Sequence, residues 1–181
     1  MLGLTLGLIV HVIFAAIQMG GELVGFQIGF SMINVVDPML GTSESVIAHF
    51  VYMVSILTFL SLDGHLFLLK GLLDSFRLVA PGSLFFSPLL VKDMLKFSSQ
   101  IFVLAIKIAS PVMVALFLTD LALALISRAA PQINVLFVGF PLKIIIGFMF
   151  LGFLFELLSL YMEQFIGDLN QYFLAILHGI K

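Results

Sequence analysis

Four charged side chains, Lys107, Asp120, Lys143 and Glu156, stand inside sequence that is otherwise apolar. At the centre of a bilayer an unpaired charge costs roughly 2.5–3.5 kcal/mol even on the gentler insertion scale. Such residues neutralise one another, meet a partner subunit, or line a path for protons or ions. Their spacing points to the first. If the chain folds back near residues 131–132, Asp120 comes level with Lys143, and Lys107 with Glu156. The expectation is an antiparallel helical hairpin with at least one internal ion pair. Successive charges are thirteen residues apart, which at 3.6 residues per turn carries them well off one face. Both pairs therefore meet only if a kink, with Pro111 the natural place, rotates one half. A proton or ion pathway through the four charges is the alternative.

Nothing else in the chain suggests chemistry. His11, His49, His65 and His178 are scattered without ligand spacing, so no metal site is expected. There is no cysteine, hence no disulfide, thiolate ligand or thiol nucleophile. No phosphate loop, activated nucleophile or paired-carboxylate motif is present. No catalytic site and no cofactor are expected. Gly21, Gly25 and Gly29 recur at every fourth position and share a helical face, where a second helix can approach closely. The plainer alternative is that glycine is common in membrane helices. Glu22, beside that face, meets a partner, water or a structural polar contact. The twenty phenylalanines and nine methionines could line a conduit, although lipid-facing or packed positions explain most of them.

The elements that must position these residues follow from composition. Hydrophobic residues make up 62% of the 181 and charged ones 10%, with a mean hydropathy of +1.26. A soluble domain carries about 25% charged residues, so a bilayer or an apolar assembly must solvate most of this surface. A net charge of -2 excludes nucleic-acid binding, which needs a basic stripe. Residues 1–19 approach the ~20 needed to span a bilayer as helix. Residues 23–36 are apolar but shorter, stop at Asp37-Pro38, and suit a re-entrant or buried segment. Residues 46–62 form a marginal span. Residues 101–127 and 133–158 are long apolar stretches joined by a turn at Arg128, Pro131 and Gln132. Between 63 and 100, Lys70, Asp74 and Arg77, then Lys92 and Lys96, suggest two short amphipathic helices along an interface; a solvated connecting loop is the alternative. Counting positive charge places 63–100 on the cytoplasmic side and Arg128 outside. The division expected is 1–62, hydrophobic helices with a loop; 63–100, an interfacial connector; 101–160, a hairpin; and 161–181, a tail helix. The fold class is all-α and of integral-membrane type.

Three stretches carry a resemblance. They are Gly21-Glu22-Leu23-Val24-Gly25-Phe26-Gln27-Ile28-Gly29-Phe30 continuing to Val36-Asp37-Pro38; Asp63-Gly64-His65 followed by Leu72-Leu73-Asp74-Ser75-Phe76 and Pro81-Gly82; and Ser127-Arg128-Ala129-Ala130-Pro131-Gln132-Ile133-Asn134 through Gly139-Phe140-Pro141-Leu142-Lys143. In this order they resemble the FliR family of flagellar export proteins. The resemblance implies a FliP-like front half and a FliQ-like C-terminal hairpin. It also implies assembly of one copy with several copies of FliP and FliQ, and contact with FlhB, in the bacterial inner membrane at the flagellar basal body. Secreted flagellar proteins would pass unfolded through the central channel of this type III export gate. It implies that the loop centred on Asp37, Pro38, Met39, Leu40 and Gly41 plugs the closed channel; a plain extramembrane loop is the alternative. It turns the hairpin tip toward the cytoplasm, against the positive-charge count. Members of the family usually carry a further hydrophobic stretch before the position matching residue 1, so the chain is expected to lack an N-terminal segment. The corresponding virulence injectisome subunit and an ion-coupled transporter are the rival readings.

Overall fold

The computed structural model describes residues 2–29, 45–78, 88–132 and 134–179, and these contain five helices and no strand. The first helix, α1, runs Leu2–Ile28. It passes through Gly20-Gly21-Glu22, where the sequence suggested a division between 1–19 and 23–36. Each glycine costs a helix about 1 kcal/mol, but here the missing side chains admit neighbouring helices, so packing overrides propensity. Helix α1 ends at Gly29, whose φ of +102° is the left-handed conformation that glycine tolerates. The Gly29 amide donates to the carbonyls of Gly25 and Phe26, at 3.2 and 3.1 Å, closing the last turn. Residues 30–44, which include the expected plug, lie outside the described residues.

Helices α2 (Val46–Ser61) and α3 (Gly64–Leu78) meet at a 65° bend. Asp63 sits there with φ +56°, and its carbonyl accepts from the amides of Leu66 and Phe67. Gly64 is required at the bend because a β-carbon would run into the Phe59 ring. Helix α4 runs Pro88–Ala129 and α5 runs Val135–Gly179. Two expected boundaries are corrected. Residues 88–100 do not form a separate short helix but the opening turns of α4. Proline at the first helical position needs no amide partner, so Pro88 starts a helix instead of breaking one. Residues 161–179 likewise continue α5, since no proline follows Pro141 to stop it.

Among the described residues three helices carry segments long and apolar enough to cross a membrane: Gly7–Ile28, Phe102–Ala129 and Val135–Asp168; the bent α2–α3 pair is a fourth if counted as one broken span. Helix α1 packs chiefly on α4 and α2, and α4 on α5. The core joins Ile13, Ile17 and Val24 of α1 to Val51 of α2, Val112 and Leu116 of α4, and Leu154 and Leu158 of α5. Hydroxyls within these helices turn back on their own backbone. Thr58 donates to the Val54 carbonyl at 2.9 Å and Thr119 to that of Ala115 at 2.8 Å, so neither donor is left unpaired in apolar surroundings.

Candidate functional site

The C-terminal half of α1 is where the other helices converge, and its glycines allow it. A β-carbon on Gly20 would lie 3.1 Å from the Ala105 carbonyl oxygen of α4, and one on Gly21 would lie 2.8 Å from Ala48 Cα of α2. At Gly25 it would run into the Ser45 hydroxyl. Gly21 and Gly25 thus admit α2, which is the close approach their spacing suggested. Gly29 does something different: it lies beyond the helix end, with a positive φ, beside the Phe140 ring of α5. Two contacts escaped the sequence reading. Gln27 Nε2 donates to the Met113 carbonyl of α4 at 3.2 Å, and Ile28 fills the space left by Gly147 of α5. The available signal for the first was a polar residue seven positions after Gly20, on the same helical face. The segment 30–44 therefore departs from one end of this cluster and re-enters it at Ser45, which is buried against Gly25.

The second constellation is the α4–α5 hairpin. Pro131 and Gln132 form its turn. Asn134 starts α5 by accepting the Leu136 amide on Oδ1 at 3.2 Å, capping an otherwise unpaired donor. Arg128 lies exposed in the last turn of α4, where a cation suits the negative end of the helix dipole. Eleven residues before the turn and as far after it, Lys143 Nζ meets Asp120 Oδ1 at 2.5 Å, with the side chains 23% and 43% exposed. Lys107 and Glu156 are both exposed and form no ion pair with each other.

The helical screw accounts for one pair meeting and the other not. Thirteen residues turn a side chain through about 220° beyond full turns. Both helices are right-handed, so moving away from the turn rotates both in the same sense. Side chains that start face to face, Asp120 and Lys143, become Lys107 and Glu156 pointing outward on opposite edges. Helix α4 runs on through Pro111, and Lys107 and Glu156 still do not meet. Proline at 111 leaves the Lys107 carbonyl without its helical donor, and Ser110 Oγ supplies one at 2.9 Å.

Among the described residues no group of three or more His, Asp or Glu side chains could hold a metal ion. The arrangement is one of packing and charge neutralisation.

Comparison with known proteins matches residues 1–169 to the family model described as "Bacterial export proteins, family 1". The flagellar biosynthetic protein FliR of Bacillus subtilis is 37% identical over 158 residues, covering 83% of this chain and 60% of that protein. FliR of Escherichia coli is 31% identical over 169 residues, covering 93% and 65%. Yop proteins translocation protein T of Yersinia pestis is 32% identical over 146 residues, covering 78% and 55%. The chain spans about three fifths to two thirds of the length of the curated relatives it matches. The FliR relatives are flagellar proteins and the family is one of bacterial export, and with three helices able to cross a membrane this chain belongs to bacterial export protein family 1, the FliR family.

Proposed function

We propose that the chain is a structural subunit of the flagellar type III export gate, joining FliP and FliQ, beside FlhB, to enclose a channel in the bacterial inner membrane through which unfolded flagellar proteins leave. The observation that carries this reading is the family match over residues 1–169. The fold is in keeping with it. The exposed faces of α4 and α5 present Phe102, Phe117, Leu125, Leu136, Phe137 and Ile145, surface that lipid or apolar subunits must cover. Within this reading Asp37–Gly41 acts as the channel plug, Gly21 and Gly25 seat α2 on α1, and the Asp120–Lys143 pair holds the hairpin in register. The subunit works as part of a conduit and carries out no catalysis of its own.

The Yersinia relative supports a second reading, the equivalent subunit of a virulence injectisome. The flagellar reading is preferred because the FliR relatives of Escherichia coli and Aquifex aeolicus cover 93% and 99% of the chain, against 78% for the Yersinia protein. The test is expression in a strain of the source bacterium deleted for this gene, with flagellar subunits in the medium measured by immunoblot. Restored secretion supports the flagellar gate. Secretion of injectisome substrates instead, in a strain that possesses both systems, favours the second reading.

A further inference from the structure

One exposed face of α1 lacks the large apolar side chains that cover most outer faces of these helices. Gly7, His11, Ala15, Gln18 and Glu22 follow one another at three- and four-residue intervals and so fall within roughly 80° of arc. Gly7, His11 and Glu22 are exposed, and Ala15 and Gln18 half-buried. All five lie in Gly7–Ile28, a segment long and apolar enough to cross a membrane. The opposite face, Ile9, Ile13, Ile17 and Val24, is buried in the core.

Three surroundings are conceivable for this stripe. Lipid fails, because an imidazole, a carboxamide and a carboxylate would all lose hydrogen bonds there. Among the described residues there is no partner: no hydrogen bond or ion pair reaches the side chains of His11, Gln18 or Glu22. Close docking of a second helix needs small residues at successive fourth positions, and here His11, Gln18 and Glu22 interrupt Gly7 and Ala15. Water meets all three hydrogen-bonding demands without any fixed register. We propose that Gly7, His11, Ala15, Gln18 and Glu22 form a water-facing wall of the export conduit, over which an extended polypeptide slides because no large apolar side chain holds it. The assignment rests on the export-gate reading above.

Because the chain has no cysteine, single cysteines report one position each. His11→Cys, Ala15→Cys, Gln18→Cys and Glu22→Cys, with Ile13→Cys, Phe137→Cys and Ile145→Cys as controls, are expressed with FliP and FliQ of the same organism. Membranes are treated from either side with a charged, impermeant methanethiosulfonate. Thiols react as hydrated thiolates, so the four stripe positions should label roughly tenfold faster than the controls. Ala15→Cys, the mildest exchange, carries the test if a bulkier replacement lowers the amount of protein. Stripe cysteines as slow as the controls from both sides, in membranes where the chain co-purifies with FliP and FliQ, would overturn the stripe and leave the assembly standing. Fast labelling without co-purification would overturn the proposal through its premise, since there would be no conduit to line.

Discussion

At the scale of single residues, the Asp120–Lys143 contact was legible in the sequence because it depends only on distance from the turn, which Pro131 marks. The failure of Lys107 and Glu156 to meet was equally a matter of arithmetic: the helical screw turns them outward and a proline whose lost bond is replaced by Ser110 does not reverse it. What the sequence did not disclose were contacts fixed by neighbouring helices, such as Gln27 to Met113 and Ile28 against Gly147. Placing two like charges at the pair should be costly. Asp120→Lys is expected to lower the amount of chain folded in membranes roughly tenfold or more, in line with the ~2.5–3.5 kcal/mol cost of an unpaired charge there. Adding Lys143→Asp should restore at least half, measured as protease-resistant protein. No rescue by the double reversal would show that the contact contributes nothing to folding. The pair Lys107→Glu with Glu156→Lys should show no mutual rescue.

At the scale of elements, apolar length and proline position indicated which segments are helical, while their ends were decided by packing. Gly20 and Gly21 looked like a break between two segments, yet they are where α1 is most tightly held, Gly20 against Ala105 and Gly21 against Ala48. The stretch around Lys92 and Lys96 looked like a short helix of its own, yet it opens a 42-residue helix that begins at Pro88. The sequence ended a segment at residue 62, and the structure makes that boundary a bend, with left-handed Asp63 followed by Gly64 under the Phe59 ring. Gly21→Val tests the seating of α2 on α1. Its side chain must displace the Ala48 backbone, an overpacking expected to cost about 1–3 kcal/mol. The thermal midpoint of the detergent-purified complex should fall by several degrees, whereas Gly7→Val, whose β-carbon meets nothing within 4 Å, should leave it unchanged. Equal midpoints for the two variants would contradict the packing argument.

At the scale of the whole molecule, α1 is the axle. Helix α2 packs on it through glycine contacts, α4 through Ala105 and the Gln27 hydrogen bond, and the tip of α1 reaches α5 through Ile28. The segment from 30 to 44 both leaves and re-enters this junction. If its centre plugs the channel, deleting Asp37 to Gly41 should leave assembly intact and raise small-ion leakage across resting membranes severalfold; a membrane that stayed tight would refute the plug. The apolar exterior of α4 and α5 also accounts for so few charges, since in the proposed assembly lipid and neighbouring subunits take the place of water there. The claim on which all of this depends is assembly. The most direct measurement is affinity purification of the tagged chain from membranes co-expressing FliP and FliQ of the same organism, with subunit ratios read by native mass spectrometry. A stable complex of fixed stoichiometry containing one copy of this chain is the predicted result. Recovery of the chain without FliP and FliQ, from membranes in which both are present, would contradict it.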